Sequence, residues 1–301
     1  MKKGIHYWAL PPEMNLREKF FFASHCGFDG VEPVILPQGE LSINSSYKEL
    51  ERIRKDAEDA NIEILSLTNA LNWNCSFTSD RKEIREKALD TLCRQIEIAS
   101  ILGVDSILVL PGFVSVDFVS KDLHPSEDTD KTDSYHPSQE IIRYDQAYIR
   151  AKEGLMKALD MAEKRKVTLC IENTWGKFLL SPLEMCSFID EINSPYLKAY
   201  FDTGNVCPFG IPQHWVEILG KRINRVHVKD YKNGSLTLSS FVELGKGDIN
   251  LEAVAASLKG IGYRGWITAE LNVDPNNPYR IAKETAIAMD NIFGNKEDTN
   301  G

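Results

Sequence analysis

The sequence predicts an α/β chain closed into a (β/α)₈ TIM barrel. Three observations lead there: eight short apolar runs, helical stripes between them, and a length of 301 residues. A barrel of about 250 residues with insertions accounts for that length. Near-continuous apolar runs suit parallel strands buried on both faces. A doubly wound open sheet is the alternative. It prefers a glycine-rich phosphate turn after the first strand, and Trp8-Ala9-Leu10-Pro11-Pro12 is not one.

The expected strands are Gly4–Trp8, Gly30–Leu36, Ile62–Thr68, Ser106–Leu110, Val167–Asn173, Leu197–Asp202, Ile223–Asp230 and Trp266–Leu271. Helical spacing lies between them. Ile84, Ala88, Leu92, Ile96 and Ala99 make one stripe, and Ala151, Leu155, Leu159 and Ala162 a second. Met185–Ile192, Leu251–Leu258 and Ala282–Phe293 carry three more. Ser181-Pro182-Leu183-Glu184 reads as an N-cap with proline at the first helical position, and Asp80 with Glu83 reads as a similar start. Gly27, Gly103, Gly220 and Gly260 follow helical patterns, where a left-handed residue closes the helix. Two insertions, Phe113–Glu140 and Tyr231–Asp248, follow the fourth and seventh strands, and the first reads as an acidic lid. One barrel domain is expected over 1–294, with a polar tail at 295–301.

Lysine and arginine number 35 against 44 aspartates and glutamates, a net charge of −9. That balance argues against non-specific nucleic-acid binding, which needs a basic surface. No stretch approaches the ~20 consecutive apolar residues of a membrane span. The apolar run after Lys2 and Lys3 is too short for a secretory segment, so a cytoplasmic location is expected. The six cysteines form no CxxC pair and read as reduced thiols, several within apolar periodic segments.

The informative constellation lies in the second half. The fifth strand ends Ile171-Glu172-Asn173, and the sixth ends Phe201-Asp202-Thr203-Gly204-Asn205. The seventh reads Val226-His227-Val228-Lys229-Asp230, and the eighth Thr268-Ala269-Glu270-Leu271. An ionised side chain inside an apolar run is costly unless it is paired or bound to a metal. Adjacent strand ends of a barrel lie about 5 Å apart on one rim. Glu172, Asp202, His227 and Glu270 therefore converge. A lone glutamate at a strand end is more often an ion-pair partner, and a lone histidine more often a core residue. Four such residues on four consecutive strands are hard to obtain by accident. Three carboxylates and one imidazole suit one divalent ion, Mn²⁺ first, with Mg²⁺, Co²⁺ or Zn²⁺ as alternatives.

The chain resembles the xylose isomerase-like barrel superfamily, in particular its sugar phosphate isomerase and epimerase branch. The matching stretches are Gly27-Phe28-Asp29-Gly30-Val31-Glu32, Ile171-Glu172-Asn173, Phe201–Asn205, His227–Asp230, Gly245-Lys246-Gly247-Asp248-Ile249 and Gly262–Trp266 running to Glu270. The resemblance implies a metal-dependent sugar or sugar phosphate isomerase or epimerase. In it Glu172 and Glu270 are both metal ligands and the acid/base pair, working through a metal-stabilised enediolate. Its partner is a small polyhydroxy carbohydrate, and a homo-oligomer is compatible with it.

Further substrate contacts are expected from Asn205, where 3-epimerases often carry a histidine, and from Lys229, which could contact substrate oxygens, neutralise the anionic site or equally pair with Asp230. Glu32 and His6, at the ends of the second and first strands, could meet sugar hydroxyls or form salt bridges. Trp73 and Trp175 lie in loops where an aromatic face stacks on a sugar or simply packs. Lys246, between two glycines, could hold a phosphate after the seventh strand.

Two other enzyme classes share this barrel. One is a lyase or dehydratase, eliminating from a 3-keto-glycoside or dehydrating a keto-inositol. The other is an abasic-site endonuclease, whose three zinc ions need more histidines than the six in this chain. A non-enzymatic carbohydrate-binding role is a third class, and a matched pair of acid/base carboxylates is not what binding alone requires.

Overall fold

The computed structural model describes residues 1–116, 136–234, 237–272 and 277–294. Eight parallel strands form its barrel: β1 (Lys2–His6), β2 (Gly30–Glu32), β3 (Glu63–Ile64), β4 (Ser106–Val109), β5 (Thr168–Glu172), β6 (Leu197–Asp202), β7 (Ile223–Val228) and β8 (Trp266–Ala269). They run in the order β3-β2-β1-β8-β7-β6-β5-β4, so the first and last strands of the chain pair side by side. The remaining seam, between β3 and β4, is closed by the loop after β3. The Leu108 amide donates to the Leu67 carbonyl at 3.0 Å. Gln95, wholly buried, donates its amide to the carbonyls of Leu67 and Leu108.

Around the strands lie α1 (Leu16–His25), α2 (Tyr47–Asp59), α3 (Lys82–Leu102), α4 (Tyr144–Arg165), α5 (Pro182–Ile192), α6 (Pro212–Leu219), α7 (Leu251–Gly260) and α8 (Pro278–Phe293). Among the described residues none is long and apolar enough to cross a membrane. The strands alternate in which core they serve, as period-two geometry requires. Ile107, Val109, Leu169, Ile171, Phe201 and Val226 join the main core with the helices. Leu108, Cys170 and Tyr200 form a separate cluster with Leu110, Phe113 and Val116. The strands are tightly packed here: a Cβ on Gly4 would stand 2.3 Å from Leu65 Cδ2 and 2.9 Å from Thr268 Oγ1, so any larger residue requires those side chains to move.

Several boundaries differ from expectation for identifiable reasons. The second strand is interrupted at Pro33, which has no amide proton to donate. Its continuation, Val34–Ile35, pairs instead with Thr68–Asn69. The seventh ends at Val228, because Asp230–Tyr231 turns away into an antiparallel pair with Phe241–Val242. Asp80 does not cap α3, whose N-cap is Arg81; its carboxylate pairs with Arg150 instead. Gly260 is the last residue of α7, and the left-handed position falls two residues later at Gly262 (φ 77°). Ser181 caps α5, accepting from the Glu184 amide. Most of the expected acidic lid (117–135) and the polar tail (295–301) lie outside the described residues.

Candidate metal centre

Strand register brings the four ligand-type residues together. Asp202 and His227 are direct partners in the β6–β7 pairing. Ala269 pairs with Val228, which sets Glu270 just beyond the end of β8. Glu172 ends β5 opposite Tyr200, two residues before Asp202 and so on the same face of β6. One ligand atom from each of Glu172, Asp202, His227 and Glu270 falls within 4.8 Å of the others. Among the described residues this is the only such group.

His227 sits at the centre. Its Nδ1 lies 2.9 Å from Glu270 Oε2, 3.2 Å from Glu172 Oε1 and 3.8 Å from Asp202 Oδ2. Its Nε2 points the other way, 2.5 Å from Glu32 Oε2. Burial opposes charge on this imidazole, yet the Glu32 and Glu270 carboxylates outweigh burial and raise its pKa well above the ordinary value. Burial opposes charge on Glu270 too, but Lys229 and His227 hold it well below the usual carboxylate range. Glu172 goes the other way: burial, helped by the Glu270 charge, pushes it up to about 7. Burial likewise raises Asp202, against the pull of Lys229.

These residues fit a divalent ion. Asp202 Oδ2 and Glu270 Oε2 are buried acceptors without a well-formed hydrogen bond, aimed into the same cup as His227 Nδ1. A metal is bound by an unprotonated imidazole nitrogen, so an ion entering the cup would displace any proton held between Nδ1 and these carboxylates. The Nε2 contact to Glu32 is the outer carboxylate that commonly orients a metal-binding histidine.

The cup forms the floor of a cavity of about 590 Å³, within the range of small-molecule sites. His6, Trp73, Trp175, Asn205, Lys229 and Lys246 all line it. His6 is buried and neutral, held down at about 4 by burial, with its Nδ1 accepting from the Trp8 amide. Trp73 stacks on Phe113 and Trp175 on Phe241, so both rings are braced walls. Asn205 is tied into the strand ends: its amide donates to Asp202 Oδ1 and its side chain to the Asn173 carbonyl.

Of the two roles open to Glu32, its carboxylate is found in the ion pair, with His227. It is wholly buried beneath His227, with its other oxygen accepting from the Tyr200 hydroxyl, and it does not line the cavity. Lys229 does not pair with Asp230. Its ammonium lies 3.1 Å from Asp202 and 2.9 Å from Glu270, while Asp230 collects backbone amides of the following loop. Sequence reasoning missed Phe241, Glu243, Lys232 and Arg280, which also line the cavity. Arg280 stands on a helix rather than at a strand end, and no local pattern marks it.

With fold and site geometry in hand, comparison with known proteins assigns the class. The chain belongs to the xylose isomerase-like TIM barrel family, whose model matches residues 20–291. Among its relatives is SgbU of Haemophilus influenzae, named provisionally as an L-ribulose-5-phosphate 3-epimerase; it is 26% identical over 91% of this chain and 90% of its own. UlaE of Salmonella typhimurium, named L-ribulose-5-phosphate 3-epimerase, is 24% identical over 95% of this chain and 92% of its own. Of solved structures, a D-psicose 3-epimerase in the presence of D-fructose matches with a TM-score of 0.76 at 19% identity, covering 98% of this chain and 100% of that one. These relatives are named as epimerases, enzymes of the isomerase class.

Proposed function

We propose that the chain is a cytoplasmic, divalent-metal-dependent epimerase of a ketose or ketose phosphate, acting by proton transfer next to the carbonyl. The observation that carries this is the pairing of Glu172 and Glu270 across one cup, with His227 Nδ1 between them at 3.2 and 2.9 Å. The epimerase names of the relatives support it.

Glu172, Asp202, His227 and Glu270 would hold the ion, with Mn²⁺ the first candidate for so oxygen-rich a donor set. When bound, it would polarise the carbonyl and the neighbouring hydroxyl and offset the negative charge that develops as the C–H proton leaves. The protein supplies the rest. One of the two glutamates takes the proton from one face of the sugar, and the other delivers a proton to the opposite face. Lys229, between Asp202 and Glu270, keeps Glu270 ionised and offsets the charge of the cup. Trp73 and Trp175 narrow the cavity around the sugar and exclude water.

The test is a metal-supplemented screen of ketoses, ketose phosphates, inososes and 3-keto-glycosides in deuterated water. Epimer carrying one solvent deuterium at the inverted carbon is the expected product. Loss of water or an aglycone would instead make the enzyme a lyase, and turnover of none would overturn the reading.

A further inference from the structure

The metal cup has no lysine left for a substrate phosphate, because its one lysine is committed to two of its three carboxylates. Another part of the same cavity wall is different. There Glu243 sits between Lys246 and Arg280, all three lining the cavity together with Lys232. Arg280 grips the Glu243 carboxylate with both terminal nitrogens, at 2.8 and 3.0 Å, and the Lys246 ammonium adds a third contact at 2.8 Å. A two-pronged guanidinium and an ammonium meeting on one pair of oxygens is the arrangement that recognises a phosphate.

Lys246 is built into place. It lies between Gly245 and Gly247, whose amides both donate to Asp230 Oδ2 at 2.9 Å. Asp230 Oδ1 takes two more amides, from Tyr231 and Ile249. Asp230 is wholly buried and only three residues beyond His227. A Cβ on Gly247 would stand 2.2 Å from Asp230 Oδ1, so glycine there permits the close approach. The loop bearing Lys246 is thus clamped to the strand bearing the central metal ligand.

We propose that Lys246 and Arg280, with Lys232 beside them, form an anion site for the phosphate of a phosphorylated ketose, and that Glu243 is the internal stand-in which this phosphate displaces. The identity of the sugar rests on the epimerase reading above; the anion site does not. Glu243 holds the two cations in position, with Glu284 also on Arg280 at 2.6 Å, and a dianion with more oxygens replaces Glu243. Discrimination for phosphorylated over free sugar then arises at Lys246 and Arg280 rather than at the metal ligands.

Two measurements on the full chain test this. In the first, inorganic phosphate is titrated calorimetrically into the protein. Saturable binding is expected, weakened at least tenfold in Lys246→Ala and in Arg280→Ala, partly kept in Arg280→Lys, and tightened severalfold in Glu243→Gln. In the second, kcat/KM is compared for a ketopentose 5-phosphate and the same ketopentose without phosphate. Their ratio is expected to fall at least tenfold in each alanine variant. No saturable phosphate binding, or affinities unaltered by all these variants while their melting temperatures stay at the parent value, would overturn the anion site even with epimerase activity intact. Phosphate binding with the expected variant pattern, but no turnover of any sugar, would uphold the site and count against the epimerase reading alone.

Discussion

The Nε2 nitrogen of His227 lies 2.5 Å from Glu32 Oε2, and neither side chain is more than 1% exposed. The other Glu32 oxygen accepts from the Tyr200 hydroxyl at 2.8 Å, so the carboxylate is fixed on both sides. It in turn fixes which imidazole nitrogen faces the cup. Replacing Glu32 by Gln keeps the shape and removes the charge. Affinity for Mn²⁺ is expected to fall about 10- to 100-fold, the usual cost of losing such a partner. Calorimetric titration of the variant measures it; an unchanged affinity would mean that Glu32 does not orient His227.

Proton transfer by the two carboxylates predicts a large loss on neutralising either. Glu172→Gln and Glu270→Gln are each expected to lower the rate of solvent-deuterium incorporation by about 10²- to 10⁴-fold. Proton NMR of the ketose in deuterated water follows this directly. A variant that still exchanges at the parent rate would remove that residue from the acid/base pair.

His6 gives the fold a defined sensitivity to acid. Burial holds its imidazole down at about 4, against 6.5 for an exposed ring. Between those values the unfolded chain binds the proton and the folded one does not, so stability is lost as pH falls from about 6.5 toward 4. The full term is worth about 3 kcal/mol at the usual 1.4 kcal/mol per pH unit. Protonation would also break the acceptor role of Nδ1 toward the Trp8 amide. Urea unfolding midpoints across this range should therefore decline less steeply in His6→Asn than in the parent protein. Parallel curves would contradict the assignment.

Gln95 is the polar link across the β3–β4 seam, donating to the Leu67 and Leu108 carbonyls at 3.0 and 3.1 Å. Gln95→Leu leaves those buried acceptors short of a donor. A destabilisation of about 1–3 kcal/mol is expected, read from chemical unfolding. A neutral effect would place the closure of the barrel entirely in the Leu108–Leu67 backbone bond.

Where a residue carries its own chemistry at a strand end, sequence was enough to place it. Glu172, Asp202, His227 and Glu270 interrupt apolar runs, and parallel pairing leaves them nowhere to go but one rim. The first two helices carried a legible signal as well: Asn15 with Glu18, and Ser46 with Glu49, form reciprocal capping boxes, followed by apolar positions at helical spacing, Leu16, Phe20 and Ala23 in one and Leu50, Ile53 and Ala57 in the other. Other features depend on distant partners. Glu32 looks like any rim carboxylate until the barrel closes and sets it under His227, 195 residues away. Asp230 reads as a partner for Lys229 until the turn after Val228 directs it to the glycine loop. Arg280 meets Glu243 only through tertiary packing, so nothing in its neighbourhood along the chain marks it.

The central claim is that four strand ends hold one divalent ion. Metal analysis by mass spectrometry of the purified, Mn²⁺-equilibrated protein tests it most directly. One ion per chain is predicted in the parent protein, falling to a small fraction in Asp202→Asn and His227→Ala while both variants keep their far-ultraviolet circular dichroism. A parent protein that binds no divalent ion even with Mn²⁺ in excess would contradict the account.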